Sequence, residues 1–388
     1  MRAASALRRA AGLVVSLGVV GAAWAADGQA LPVATERAAI VARAESDLLR
    51  GDIVAAVEGF ERAGSMQHAA DSEMGLVRAF MQRGDYAQAL AFAAHVAGEH
   101  LDAPDAAVQY AWLLRVGGQT AVSDRVIADS LARAPADATV SAAARAFASP
   151  LPAPTGILLD APHRVAPAAP LAPRVSDVPA DARVLSSGVL LPDGWHALVP
   201  ASRAGRPLPM RLWVRNGLGE TREAEVDTPA GGANDSGFIV LRLRSALRAG
   251  DIDLVVRRAA FAGSPAFAVE YAEATPATPA WPWLRIGFLG SPVGERGWRR
   301  LNVDVAASLG GGPVFDASGR LAGIVARDAA GRAMTWPVAL WPVAAAAPAP
   351  AVSNAVDGSE GRSASGVVPP ERLYGRALRV ALQVIGLP

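Results

Sequence analysis

The chain has 388 residues, of which 52% are hydrophobic and 19% charged, and its formal net charge is +1 at pH 7. This size and composition predict about two or three globular domains, and the near-neutral charge argues against a nucleic-acid partner, which would require a concentrated basic surface. The absence of cysteine excludes disulfides, thiolate metal sites and thiol nucleophiles, and the five histidines are scattered along the sequence, so neither a metal centre nor a cofactor is expected.

The N-terminal residues 1–25 have the pattern of a secretory signal peptide. Arg2, Arg8 and Arg9 precede an apolar run over residues 10–23, and small residues at Ala23 and Ala25 flank Trp24. This pattern predicts cleavage after Ala25, and the apolar run is too short to cross a bilayer. We therefore expect a periplasmic or secreted mature chain with no integral membrane segment.

Residues 31–148 have a helical and repetitive pattern. Gly51, Gly84 and Gly118 recur at intervals of 33 and 34 residues, and apolar residues at i, i+3 and i+4 flank each of them. The run Gly84-Asp-Tyr-Ala-Gln-Ala-Leu90 resembles the tetratricopeptide repeat, in which a glycine occupies the turn between two helices. The resemblance implies an α-solenoid with a concave surface for a protein or peptide partner. An irregular helical bundle with coincidental spacing is the alternative.

A proline-rich linker follows over residues 149–181, and its composition predicts an extended segment between separately folding units. Residues 182–343 then contain short apolar runs separated by Gly, Pro, Asp and Asn, a pattern typical of β-strands. The runs lie at 189–191, 197–200, 210–214, 224–226, 238–243, 266–271 and 284–289. With two further strands before residue 336, this number of runs predicts a double β-barrel.

The sequence Gly311-Gly-Pro-Val-Phe-Asp-Ala-Ser-Gly-Arg-Leu-Ala-Gly-Ile-Val325 resembles the region around the nucleophile in trypsin-like serine proteases, particularly the HtrA/Deg branch. Two other segments match landmarks of that family in the right order. Ser187-Gly-Val-Leu-Leu-Pro-Asp-Gly-Trp195 resembles the first hairpin, and Gly263-Ser-Pro-Ala-Phe-Ala268 resembles the opening of the second barrel. The resemblance implies a trypsin-like double β-barrel, and together with the helical repeats and the C-terminal segment it predicts a multidomain α + all-β chain with an α-solenoid, this double barrel and a C-terminal helix.

The same resemblance indicates that the catalytic triad is degenerate. It places Ser202 (or Ala201, without an insertion) in the histidine position, Gly237 in the aspartate position and Gly310 in the nucleophile position. Glycine has no side chain that could attack a carbonyl or orient a base. The loop from Asp304 to Pro313 is also about two residues shorter than the family pattern, so its backbone N–H groups are not expected to form an oxyanion hole.

A displaced triad of His196, Asp235 and Ser308 is an alternative, because each lies within a few residues of its expected position. Side-chain alternation along a strand argues against it, since a shift by an odd number of residues turns a side chain to the opposite face. Without catalysis, we expect His196 at the end of an exposed strand, Asp235 in a turn and Ser308 bonded to local backbone.

The C-terminal part contains a second flexible linker at residues 344–368 and an amphipathic segment at 369–388. Tyr374, Ala377, Leu378, Ala381 and Ile385 predict a helix from Pro370 to Ile385 that docks on this chain or binds a partner. The whole pattern favours a non-catalytic adaptor or scaffold for protein or peptide partners. The alternatives are a serine endopeptidase with unconventional catalytic residues and a regulatory subunit of an active envelope protease. The sequence indicates neither the partner nor the oligomeric state.

Overall fold

The computed structural model describes residues 23–148, 178–203, 206–209, 211–227, 237–250, 261–272, 277–294, 297–304, 310–328, 330–338, 341 and 367–387, with the backbone alone for 23–32 and 202–207. Most of the predicted signal peptide and of both linkers lies outside these residues, so those three assignments remain predictions. Across the described part of the chain, no helix combines the length and the apolar character needed to cross a membrane.

Seven helices form the N-terminal part of the described chain. They are α1 (Ala23–Leu49), α2 (Ile53–Met66), α3 (Ala70–Arg83), α4 (Tyr86–Glu99), α5 (Pro104–Val116), α6 (Thr120–Arg133) and α7 (Ala138–Phe147). Each helix packs against the next along the chain, and α1 also contacts α3, α3 contacts α5, and α5 contacts α7. This is the packing of an α-solenoid, in which helix pairs bury their apolar faces against their neighbours.

The three regularly spaced glycines form the turns inside the helix pairs. Gly51, Gly84 and Gly118 have φ angles of 79°, 83° and 81°, in the left-handed region that glycine adopts without steric cost. The carboxylates of Asp52 and Asp85 then accept hydrogen bonds from backbone N–H groups in the first turn of the following helix. The predicted inter-helix turns are therefore confirmed, whereas membership of the tetratricopeptide family stays a resemblance.

Two closed barrels of six antiparallel strands follow, which confirms the predicted double barrel. The first has the strand order β1-β14-β5-β6-β7-β2 and the second β10-β13-β12-β11-β8-β9. The strands are β1 (Arg183–Leu190), β2 (His196–Pro200), β5 (Leu212–Asn216), β6 (Thr221–Val226), β7 (Phe238–Leu243), β8 (Pro265–Glu270), β9 (Trp283–Val293), β10 (Trp298–Asn302), β11 (Pro313–Asp316), β12 (Leu321–Arg327), β13 (Ala333–Pro337) and β14 (Ala381–Gly386). The two-residue strands β3 (Ser202–Arg203) and β4 (Arg206–Pro207) form a separate hairpin.

The C-terminal segment differs from its prediction. The helix α8 (Pro370–Val380) ends five residues before Ile385, and the chain continues as β14. This strand pairs with β1 on one side and β5 on the other, so the end of the chain closes the first barrel. The extended strand satisfies the open edges of β1 and β5, and a helix at the same residues would leave both edges unpaired.

Buried residues of the solenoid and of the barrels belong to one continuous hydrophobic cluster, and whether the two parts fold independently stays a prediction. Helix α8 connects them. Its Tyr374 ring packs edge-on against Tyr86 of α4, with ring centroids 4.5 Å apart, and its hydroxyl donates a hydrogen bond to the carbonyl of Pro282. A second contact joins Trp112 of α5 to Trp283 of β9. The C-terminal helix therefore docks on its own chain.

Candidate functional site: the cleft between the barrels

The triple-glycine loop lies where the two barrels meet. Gly310 and Gly311 have φ angles of 71° and 91°, and the carbonyl of Gly310 accepts a hydrogen bond from the backbone N–H of Ser187 in β1. A Cβ on Gly311 would lie 2.3 Å from the Ser187 carbonyl oxygen and 2.7 Å from a Pro200 ring carbon. Glycine is therefore required at Gly311 by both conformation and space, and the loop touches β1 and the end of β2 directly.

Hydrogen bonds fix the loop on the second barrel. The N–H of Gly311 donates to the carbonyl of Val325 at 3.0 Å, and the N–H of Val325 donates to the carbonyl of Gly312 at 2.8 Å. The N–H of Gly312 is 3.4 Å from the buried carboxylate of Glu270. Two of the three glycine amides are thus engaged inside the protein and are not free to bind an oxyanion.

The three positions that the resemblance assigns to a triad lie close together in the fold. The N–H of Ala201 donates to the carbonyl of Gly237 at 2.8 Å, and Ala201 follows Pro200, which contacts Gly311. Ser202 comes next in the chain, and Gly310 precedes Gly311. Gly237 has a φ angle of 76°, so two of the three positions have backbone angles that favour glycine. The fold therefore brings the positions together, and the residue types supply neither an imidazole nor a carboxylate.

Of the three residues of the alternative triad, the structure describes His196 alone, and His196 lies away from this cleft. His196 begins β2, about 13 Å along the strand from Pro200. Its Nδ1 is 2.6 Å from the Asp193 carboxylate in the preceding turn, and its Nε2 is 3.7 Å from Asp227. Asp235 and Ser308 lie outside the described residues, so this alternative remains a prediction, and the placement of His196 argues against it.

Asp193 is an acceptor in a local turn. Burial alone would raise the pKa of its carboxyl, but hydrogen bonds from the His196 ring and from the backbone N–H groups of Trp195 and His196 lower that pKa below its usual value. The carboxylate and the imidazole attract each other when both are charged. This pair stabilises the β1–β2 turn at the far end of the strand from the glycine loop.

An aromatic stack that the sequence did not reveal joins the two barrels beside Gly237. The ring of Phe238 in β7 lies 5.2 Å from Trp336 in β13, with an interplanar angle of 7°, and 6.3 Å from Trp298 in β10. Phe238 and Trp336 are both buried. The three residues are distant in the sequence, and only the pairing of β10 with β13 places the two tryptophans side by side. The stack fixes the barrels to each other at the cleft.

A second concave feature lies between the solenoid and the C-terminal helix. The groove has a volume of about 490 Å³ and is formed by the start of α4, residues 249–250 and one face of α8. Three guanidinium groups line it, from Arg372, Arg376 and Arg379, together with the carboxylates of Asp85 and Glu371. Its side chains therefore give it a net positive charge and many hydrogen-bond donors.

Comparisons with known proteins give matches to solved structures alone, since no protein-family model and no curated protein sequence matches the chain. The serine endoprotease from Yersinia pestis is 19% identical over 41% of this chain, with a TM-score of 0.33, and the match covers 55% of its own length. The MamO protease domain from Magnetospirillum magneticum is 20% identical over 40% of this chain and 86% of its own, with a TM-score of 0.30. The chain thus spans about half the length of the Yersinia protein. The double barrel is defined by the strand order of this chain, and the low similarity to these two structures adds nothing to it.

Proposed function

We propose that the chain is an exported, non-catalytic adaptor or scaffold, whose protease-like barrels and helical array bind protein or peptide partners. The observation that carries the proposal is the residue content of the cleft, where Ser202, Gly237 and Gly310 stand in the triad positions. A base, an orienting carboxylate and a nucleophile act as one unit, and losing any one of them removes several powers of ten in rate. This chain lacks all three residue types at the places where the resemblance puts them.

The backbone at the same positions supports the proposal. Gly310 and Gly237 both have positive φ angles, which a serine or an aspartate adopts only with strain. The aromatic stack beside Gly237 joins the barrels through buried rings, and such packing suits a rigid surface better than an open substrate channel. A binding role requires only the barrel framework.

The basic groove between α4 and α8 is the surface we assign to the partner. Its three arginines would pair with carboxylates, so an acidic peptide segment is the ligand class that fits it best. Arg372 and Arg376 are exposed, and their guanidinium groups are accessible. The position of the groove, at the junction of the solenoid and the barrels, would let one partner contact both parts.

Partner retention and peptide hydrolysis, measured in parallel, test the proposal. The mature protein is used to retain partners from an extract of its own host, and Arg376→Glu is compared with Arg332→Glu, which reverses an exposed arginine in the β12–β13 turn. We expect a defined partner that Arg376→Glu loses and Arg332→Glu keeps, without peptide hydrolysis by any of the three proteins. Hydrolysis by the mature protein that is abolished by Ser308→Ala would instead establish the unconventional endopeptidase.

The regulatory-subunit alternative makes a different prediction, which a separate mixing experiment tests. A subunit that presents substrates would raise the turnover of an active envelope protease when the two are mixed. The adaptor would change the location or assembly of its partner and leave peptide turnover by the protease at the same rate. Rate enhancement that depends on the chain would therefore favour the alternative.

A further inference from the structure

A cluster of imidazoles and one carboxylate lies on the edge of the helical array that is opposite the α8 contact. His68 lies in the loop between α2 and α3, Glu73 in the first turn of α3, and His100 at the C-terminal cap of α4. The ring of His95 is also near, with its centroid 6.3 Å from that of His68. Three of the five histidines of the chain therefore gather at one place, although they are separated by up to 32 residues in the sequence (100 − 68 = 32).

The geometry of the three nearest groups fits a cation. Nε2 of His68 is 2.7 Å from one carboxylate oxygen of Glu73, and Nε2 of His100 is 3.0 Å from the other oxygen. The three candidate ligand atoms all lie within 4.8 Å of one another. In a tetrahedral zinc site with ligand bonds of about 2.0–2.1 Å, ligand atoms are about 3.4 Å apart. Small rotations of the exposed His68 side chain bring the set to that spacing.

The charge and burial of Glu73 also favour a bound cation. Its side chain is only 9% exposed, and within the described part of the chain its carboxylate contacts these two imidazoles and no arginine. A buried carboxylate needs a compensating positive charge or strong hydrogen-bond donors beside it. A divalent cation held by the carboxylate and both rings would supply the charge, and imidazole with carboxylate is a ligand set that zinc accepts.

We propose that His68, Glu73 and His100 form a zinc-binding site in the helical array. The three ligands come from the α2–α3 loop, α3 and the end of α4, so the ion joins three consecutive parts of the solenoid. The half-buried His100 and the buried Glu73 form the floor, and the exposed His68 leaves one coordination position open to water on the solvent side. Helix α4 places this site about 20 Å from Tyr86 and the α8 contact, so it is separate from the basic groove.

Zinc titration of the tag-free mature chain, after treatment with a chelator, tests the site. We expect one Zn²⁺ per chain, an upward shift of the thermal midpoint by about 5 °C at saturating zinc, and a visible spectrum of a low-coordinate Co²⁺ ion when cobalt replaces zinc. His68→Ala and Glu73→Gln should each weaken binding more than about 100-fold, beyond the loss typical of outer-shell changes. His196→Ala, which removes a histidine that also contacts carboxylates, should bind zinc as the unmodified chain does.

His68→Ala decides the outcome, because its side chain is 60% exposed and its removal should leave the fold intact, as circular dichroism can check. Zinc binding that persists unchanged in His68→Ala would overturn the proposal. An unmodified chain that binds no zinc at millimolar concentration would overturn it as well. Neither result would affect the adaptor proposal, whose test depends on Arg376 and the groove.

Discussion

At the scale of single residues, the glycines of the cleft differ in how much room each leaves for a side chain. Among the described residues, no atom beyond the chain neighbours of Gly310 lies within 4 Å of the place where its Cβ would stand, but its φ angle of 71° is unfavourable for any other residue. Gly311 combines a φ angle of 91° with a backbone oxygen 2.3 Å from that place. A side chain would therefore overlap other atoms at Gly311 and not at Gly310, and the stability of the two variants can be compared.

Gly310→Ser should destabilise the fold by about 1 kcal/mol, from backbone strain alone, and should leave peptide hydrolysis at background because Ser202 and Gly237 supply no base and no carboxylate. Gly311→Ser should cost about 3 kcal/mol or more, because the new side chain also overlaps the Ser187 carbonyl and Pro200. Urea unfolding of both variants measures the difference. Gly331→Ser, at another open glycine with a φ angle of 76°, is the matched control for strain. Equal costs at Gly310 and Gly311 would contradict the placement of the loop.

At the scale of helices and strands, much of the architecture could be predicted from the sequence. The regular glycines predicted the turns at Gly51, Gly84 and Gly118, and the short apolar runs predicted strands in both barrels. These signals are local, because a turn or an alternating run is encoded in adjacent residues.

Other elements could not be predicted, because their causes are distant in the sequence. The stripe of α8 continues through Ala381 and Ile385 without a glycine or proline, so a helix and a short buried strand could not be distinguished there. The open edges of β1 and β5 decide the conformation, and both lie more than a hundred residues away. The histidine cluster and the aromatic stack were missed for the same reason.

The contact between α1 and α3 gives a prediction about pH. The side chain of Arg37 is nearly buried and forms hydrogen bonds with both carboxylate oxygens of Asp71, one of them at 3.0 Å. The hydrogen bond to Arg37 lowers the pKa of the Asp71 carboxyl below its unfolded value of 3.8, against the effect of burial. Because the pKa is lowered, the pair stabilises the fold fully at pH values above the pKa of the carboxyl in the unfolded chain. This stabilisation is lost as the pH falls through the pKa of the carboxyl in the folded chain.

Asp71→Asn should therefore lower the free energy of unfolding by about 1 kcal/mol at neutral pH, a modest loss because Asp71 is about half exposed. The difference between the unmodified chain and the variant should shrink as the pH falls below about 3.8, where the carboxyl of the unfolded chain binds a proton, and should be lost below the lowered pKa of the folded carboxyl. Chemical denaturation at neutral pH and at acidic pH measures this difference in the free energy of unfolding. A difference of the same size under acidic conditions would show that the charge of Asp71 is not the cause.

At the scale of the whole molecule, the C-terminal segment joins the parts. Strand β14 completes the first barrel, α8 packs on α4, and the N–H of Val368 donates to the carbonyl of Ala317 in the β11–β12 turn of the second barrel. The last residues of the sequence are thus in contact with both barrels and with the solenoid. The shared core predicts that these parts unfold together.

Proteolytic cleavage in the 149–181 linker should therefore leave two fragments that remain associated. The linker composition favours cleavage there, while Tyr86, Tyr374, Trp112 and Trp283 hold the two sides together through buried contacts. Size-exclusion chromatography of the cleaved chain should give one peak that contains both fragments, at the position of the uncleaved protein. Separation under native conditions would mean that the contacts through α8 and β9 are too weak to unite the molecule.

We propose that the two barrels of this chain do not perform catalysis. A fluorophosphonate probe forms a covalent bond with the activated serine of serine proteases, and intact-mass measurement of the mature chain after exposure to the probe tests the claim most directly. An active trypsin-like protease under the same conditions is the positive control. We predict an unchanged mass for this chain, because the positions that the resemblance assigns to the triad hold Ser202, Gly237 and Gly310, which supply no imidazole, no carboxylate and no activated hydroxyl there. Stoichiometric labelling that disappears in Ser308→Ala would contradict the account.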